Sequence, residues 1–384
     1  MRDGENEKLR NGKNVHTAMM YLTSFLHSSI SHSLHLSFSP FRNFSFSLFL
    51  FFSISQLLIS PVSAQRLTFV ELNCENLFDT RHDEDKQDKE FLPDGTRRWT
   101  RTRYWRKVNA IGQELLSCST DLPDLVALVE VENDSAMRDL TRRSLLRSAG
   151  YDYLMTCSPD VRGIDVALLY HPARFRPLCY DIITVEPLPD MRPTRDILYV
   201  QGETVGGDTL HVFVVHAPSR YGGELPTRPH RQRVAETLLQ AAATLMQGNV
   251  IVAGDFNDYA DSHSLQQLAD GGLVNVSASA RGAARRAQGT YRYQGEWHSI
   301  DHVLASQQLA ACVDSVYVND AIFLLQPDTK YGGWKPLRTY NGYQYQRGYS
   351  DHLPLVVTID LSKNDAPPHP SPITKNHSPR TTHQ

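Results

Sequence analysis

The run Asn249-Val250-Ile251-Val252-Ala253-Gly254-Asp255-Phe256-Asn257 decides how this chain is read. A short β-branched apolar run bounded by glycine and polar residues reads as a strand buried on both faces. Just before it, Val234, Leu238, Ala241 and Leu245 recur at helical spacing, with Gly248 as a stop signal. A helix feeding a buried strand is the repeating unit of an α/β domain.

Working outward, similar apolar runs lie at 67–73, 124–131, 164–170, 209–216, 299–305 and 353–360. A second helical face is set by Tyr104, Val108, Ile111 and Leu115. Strands and helices alternate from Arg66 to Ser362 with no internal repeat and no long linker. One α/β domain over residues 65–362 is expected.

The two ends differ from this body. Residues 44–60 read FSFSLFLFFSISQLLIS, followed by Pro61-Val62-Ser63-Ala64-Gln65, with Arg42 just ahead. Small residues at Val62-Ser63-Ala64 suit a signal peptidase, so residues 1–64 read as a leader cleaved after Ala64. Serines and Gln56 interrupt the run, which is short for a span of roughly 20 apolar residues. Export, periplasmic or secreted, is therefore expected, with no membrane span in the processed protein. Residues 363–384 hold five prolines and almost no apolar side chains, and read as a disordered tail.

The chain has 384 residues, 39 basic and 42 acidic, for a net charge of -3. Without residues 1–64 the balance is 34 to 39, or -5. Such a charge excludes binding to nucleic acid by bulk charge alone. Five cysteines are too few for a disulfide scaffold, and none has metal-ligand spacing. They read mostly as buried small apolar residues.

The polar residues fall in a telling place. The apolar runs end in, or are flanked by, Asn73 and Glu75, Glu130, His216, Asp255 with Asn257, Asp301, and Ser350-Asp351-His352. Alone, each has a plainer reading. Gly254–Asn257 reads as a turn, Ser350–His352 as a cap or loop, and His216 as a hydrogen-bonded strand end. Glu130 is harder to dismiss, because a carboxylate in an apolar strand is costly unless paired or metal-bound. Together they describe an acidic cleft with two imidazoles, whose oxygen donors suit Mg²⁺, Mn²⁺ or Ca²⁺ better than Zn²⁺.

In that order the motifs resemble the endonuclease/exonuclease/phosphatase superfamily, including its exported bacterial members. The resemblance is carried by Asn73-Cys74-Glu75-Asn76-Leu77-Phe78-Asp79, Leu128-Val129-Glu130-Val131, Val215-His216-Ala217-Pro218-Ser219, Gly254–Asn257, Ile300-Asp301-His302 and Ser350–His352. Arg338-Thr339-Tyr340-Asn341-Gly342 is similar to the same group. Val129 departs from the glutamine that many members carry before the glutamate, and Val215 from the asparagine that some carry before the histidine.

The resemblance implies a four-layered α/β sandwich of two packed mixed β-sheets flanked by helices, and hydrolysis of phosphoesters. It implies Glu130 as principal metal ligand, supported by Asn73, Glu75 and Asp351. Asp255 would activate water, Asn257 would hold a phosphate oxygen, His352 would be polarised by Asp301, and His216 would be the second imidazole. Arg338, Tyr340 and Arg347, near the last motif, are candidates for substrate contact.

The expected activity is divalent-metal-dependent cleavage of phosphodiesters by a monomer, with nucleic acid the first substrate and endonuclease the first role. Lipid head groups, inositol phosphates and other small phosphoesters are the alternative. A non-catalytic binding protein would have lost ligands, and none is lost here. Arg97, Arg98, Arg101, Arg103, Arg106 and Lys107 interleave with Trp99, Tyr104 and Trp105. They read as a helix with an aromatic core face and a solvated charged face, or as a grip for phosphates and bases. Arg281, Arg285 and Arg286 lie in a small-residue stretch expected to be a mobile loop.

Overall fold

The computed structural model describes residues 65–365. The leader at 1–64 and the tail beyond residue 365 lie outside the described residues. The first three tail residues complete a 3-10 turn, Leu361–Asp365.

Two six-stranded mixed sheets form the body. The first contains β1 (Arg66–Leu77), β2 (Leu125–Val131), β3 (Asp152–Met155) and β4 (Asp165–Tyr170). The second contains β5 (Phe175–Ile183), β6 (Ile197–Thr204), β7 (Thr209–His216), β8 (Asn249–Asp255), β9 (Leu273–Asn275) and β10 (Asp301–Ser306). The chain then returns to the first sheet with β11 (Val313–Val318) and β12 (Leu355–Asp360). The strand orders are β11-β12-β1-β2-β4-β3 and β5-β6-β7-β8-β10-β9.

Each sheet has a parallel pair at its centre, β1 with β2 and β7 with β8, and is otherwise antiparallel. Parallel neighbours need a crossover, here α1 (Arg101–Leu116) and α3 (Glu224–Ala242). Two shorter helices are α2 (Asp134–Arg142) and α4 (His263–Asp270).

Period-2 alternation sends Leu67, Phe69, Ala127 and Val129 of the first sheet against Val212, Val214, Ile251 and Ala253 of the second. The opposite face of the first sheet, Val70, Leu72, Val126 and Leu128, packs on Tyr104, Val108, Ile111 and Leu115 of α1. Phe213, Val215, Val250 and Val252 pack on Val234 and Leu238 of α3. The result is helix, sheet, sheet, helix, with each buried Leu or Val stabilising by about 1.5–3 kcal/mol.

Helix α3 ends at Ala242, before Leu245. The segment turns instead, Leu245 N–H donating to Ala242 O and Gly248 N–H to Leu245 O. Gly254 lies inside β8, where a Cβ would sit 1.8 Å from Val215 O of β7. Close strand approach, not a turn, requires glycine there. The stretch around Arg281–Arg286 is pinned rather than mobile, because the Asp320 carboxylate accepts from the Ala284, Arg286 and Ala287 amides. All five cysteines are free thiols; Cys157 and Cys179 are exposed, the others buried. No described helix is long and apolar enough to cross a membrane.

Candidate active site

The C-terminal ends of the two parallel pairs meet at one rim of the sandwich, where α/β sheets usually bind ligands. The backbone there is irregular. Register shifts interrupt β1 against β2 between Asn73 and Leu77, and β2 against β4 at Glu130. Glu75, Asn76, Glu130 and Asn257 take positive φ of 47°, 60°, 61° and 51°. Such bulges re-aim side chains at a strand end, at a cost of about 1–3 kcal/mol per residue. Glu130 is thereby turned out of the apolar strand that precedes it. Its Oε2 accepts from the Asn76 amide at 2.9 Å, and its Oε1 lies 3.7 Å from Arg162 and 4.0 Å from His216 Nε2.

His216 is buried, with Nε2 3.8 Å from Asp255 Oδ2 and Nδ1 without a partner. Burial, then the charges of Arg195 and Arg162, hold it well below the usual histidine range, so it is neutral. Asn73 bridges the sheets: Nδ2 donates to Asp255 Oδ2 at 3.1 Å, and Oδ1 accepts from the Glu75 amide at 2.8 Å. Burial, then the Asp301 charge, push Asp255 up to about 7.

Antiparallel pairing brings Asp301, the first residue of β10, opposite Asp255. Asp301 receives His352 Nδ1 at 2.8 and 2.9 Å and a hydrogen bond from Thr290 Oγ1. Burial opposes a charged His352, but Asp301, with Asp351 and Asp255, outweighs it and holds the imidazole well above its usual range. Tyr291 packs on that ring at 4.8 Å. Ser350 fixes the segment by donating to Asn73 O at 2.6 Å and accepting from the His352 amide. Ligand atoms of Asp255, Asp301 and His352 all lie within 4.8 Å of one another.

Glu75 and Asp351 form a neighbouring group. Glu75 accepts from the amides of Thr339 at 2.6 Å and Tyr340 at 3.3 Å, and Arg338 lies 3.4 Å from it and 2.8 Å from Asp351. Burial raises both carboxylates. For Asp351 the charges of Arg338, His352 and Lys107 outweigh it and hold the group below its ordinary range. Glu75 stays above its range, burial and Asp351 prevailing over Lys107 and Arg338. Asn257 Nδ2 donates to Ala217 O at 3.0 Å beside His216.

Two candidates for substrate contact lie elsewhere. Tyr340 is buried among Trp99 and Tyr345, its hydroxyl donating to Arg97 O. Arg347 faces a groove beside α1. Trp99 and Tyr104 are core residues, and Lys107 is buried, its ammonium donating to Thr339 Oγ1 and Tyr349 O.

Among the residues of the site that escaped the sequence reading are three with ionisable side chains. Glu71 points into the space between the sheets, wholly buried, with neither oxygen hydrogen-bonded. Burial, then Asp301 and Asp255, hold it well above the carboxylate range. It carries the signal that exposed Glu130, a carboxylate in an apolar strand. Arg162 and buried Arg195, which donates to Asp160 and Ala217 O, come from loops with no pattern to mark them.

A two-sheet α/β sandwich with buried carboxylates and a histidine–aspartate pair at one rim is the architecture of a phosphoester hydrolase. The chain belongs to the endonuclease/exonuclease/phosphatase family, which residues 68–361 match. None of the curated proteins matches it in sequence. In structure it is similar to an endonuclease/exonuclease/phosphatase family protein from Bacteroides thetaiotaomicron, with TM-score 0.53 and 16% identity over 77% of this chain and 97% of that one. It is similar to a family protein from Bacteroides vulgatus, with TM-score 0.50 and 13% identity over 77% and 99%. A functionally unknown conserved protein from Enterococcus faecalis V583 has TM-score 0.50 and 16% identity over 76% and 98%.

Proposed function

We propose that the protein is an exported, divalent-metal-dependent phosphodiesterase whose substrate is nucleic acid, cut internally. The observation that carries this reading is the convergence of Asp255, Asp301 and His352 within 4.8 Å at the rim where both sheets present carboxylates. The reading of residues 1–64 supports export.

The donor set fits a hard cation. Glu130 Oε1 has only long contacts, to Arg162 at 3.7 Å and His216 at 4.0 Å, and Asp255 is raised by burial and then by the Asp301 charge, which a cation would offset. Glu130 would hold the ion, with Asn73, Glu75 and Asp351 in support, although Glu75 is already saturated by two amides and Arg338. A bound Mg²⁺, Mn²⁺ or Ca²⁺ supplies charge neutralisation at the phosphoryl oxygens.

The chain's own groups do the rest. Asp255 orients a water in line with the scissile bond and takes its proton as the oxygen attacks phosphorus. His352, held charged by Asp301, passes its Nε2 proton to the departing oxygen as the P–O bond breaks. Asp301 fixes the ring through its contact with Nδ1. His216 and Asn257 flank the phosphoryl group.

The test is hydrolysis of plasmid DNA, RNA, an aryl phosphodiester, sphingomyelin and inositol phosphates with each cation. Cutting of nucleic acid that stops in chelator and in Asp255→Ala is expected. Activity persisting in either condition sinks the mechanism, and cleavage of lipid or inositol phosphates without nucleic acid replaces the substrate.

A further inference from the structure

One basic and aromatic surface is not used by the site described above. Arg98, Arg101, Arg103, Arg106 and Arg347 form no ion pair with a carboxylate among the described residues, whereas Arg97 pairs with Glu90 at 2.8 Å. Arg103, Arg106 and Arg347 gather where α1 meets the hairpin Tyr340–Asn341/Gln344–Tyr345. Arg97 lies over the Tyr340 and Tyr343 rings, and Arg103 over Tyr345 at 4.5 Å. The hairpin springs directly from the site, because the Thr339 and Tyr340 amides hold Glu75 and the chain re-enters at Ser350.

Beside it runs a groove of about 440 Å³, lined chiefly by Trp105, Arg106, Asn109, Gln113, Arg347 and Tyr349. Its aromatic walls carry two exposed guanidinium groups. The amides are only partly used: Asn109 Nδ2 donates to Trp105 O, and Gln113 Oε1 accepts from the Tyr349 hydroxyl. Asn109 Oδ1 and Gln113 Nε2 are left to face a ligand. Two like charges beside aromatic rings and free amide groups call for an anion that carries a planar polar ring. Leu145 and Ala110 are its only aliphatic lining residues, too little wall for a lipid chain. Arg347 is four residues from Asp351, at most about 14 Å along the chain.

We propose that this groove is a subsite for single-stranded nucleic acid, with Arg106 and Arg347 on backbone phosphates and a base against Trp105 and Tyr349. It deepens the phosphodiesterase reading and rests on it: the strand leaving the cleft crosses the hairpin and enters the groove.

The test is fluorescence anisotropy of a labelled single-stranded decanucleotide with the protein in chelator, so that no strand is cut. Arg106→Gln with Arg347→Gln should weaken binding at least tenfold. It should also reduce the slope of log affinity against log salt by about 1.4, for two phosphate contacts. Trp105→Ala should weaken binding without changing that slope. Unchanged affinity and slope in the double variant, with an unaltered melting temperature, overturns the subsite. Unchanged affinity in Trp105→Ala overturns the base-stacking assignment. Hydrolysis of an aryl phosphodiester with Mg²⁺, followed in parallel, judges the catalytic reading separately.

Discussion

His352 and Asp301 show what one contact decides at this site. A buried imidazole would ordinarily be neutral, and His216, whose Nε2 lies 3.8 Å from Asp255, is. His352 differs because Asp301 meets its Nδ1 directly. Asp301→Asn keeps the shape and the Thr290 contact but removes the charge. We expect kcat to fall about 10²–10⁴-fold with KM little changed, the range for loss of acid–base catalysis; equal kcat in the variant would refute the role. Glu114 on α1 tests burial as the leading cause, ahead of the Lys107 charge that opposes it. Both its oxygens are buried and unpartnered, and burial pushes it up to about 8. Below its unfolded value of 4.5 both states are protonated and stability is whole. Between there and about 8 the unfolded chain ionises while the fold does not, so stability falls as pH rises, by at most about 1.4 kcal/mol per pH unit. Glu114→Gln should therefore gain on the native protein across that window and show no further relative change above it, as read by urea denaturation from pH 4 to 9. A constant difference would refute it. Glu130 was legible because a carboxylate in an apolar strand needs a reason. Glu71 needed the same reason and was passed over because no motif marked it. Arg162 and Arg195 were illegible, since a loop arginine acquires a role only when folding brings its target near.

At the scale of elements, the legible strands are the interior ones. β1, β2, β4, β7, β8, β10 and β12 each have neighbours on both sides and read as apolar runs. β3, β5, β9 and β11 are the four sheet edges, and none was seen. An edge strand buries less and carries more polar residues; most of β5 is exposed. Interior β6 was missed because polar Gln201, Gly202 and Glu203 break its run. The motif strands had to be interior, because only there do parallel neighbours present adjacent C-terminal ends. Gly254 shows how tightly that is built. Its φ is 148°, and Val215 O lies where a Cβ would be. Gly254→Ala must push β7 and β8 apart directly beside His216 and Asp255. A loss of more than about 3 kcal/mol is expected, with any folded remainder inactive. Denaturant midpoints and specific activity measure both, and a stable, active variant would show that the pair can separate without cost.

Taken whole, the described body has one property that neither sheet has alone. The first sheet brings Asn73, Glu75 and Glu130, the second His216, Asp255 and Asp301, and the segment before β12 adds Asp351 and His352. Crowded carboxylates at that seam oppose closure: Glu71 and Asp255 are both raised, first by burial and then by the Asp301 charge. A cation bound there relieves repulsion between sheets, so its binding free energy is stability for the entire body rather than for one loop. At a hundred times its dissociation constant a ligand adds about 2.7 kcal/mol. In a body of this size that corresponds to a rise in melting temperature of roughly 5 °C. The inter-sheet core, which joins Leu67, Phe69 and Val129 to Val212, Ile251 and Ala253, couples the two halves. We therefore expect one cooperative transition that moves as a unit when Mg²⁺ or Mn²⁺ is titrated, and returns in chelator. In Glu130→Gln the transition should remain single, while its metal-dependent shift is lost. Calorimetry decides the matter: a second transition that alone responds to metal would mean the sheets unfold separately, and an undiminished shift in the variant would place the cation elsewhere.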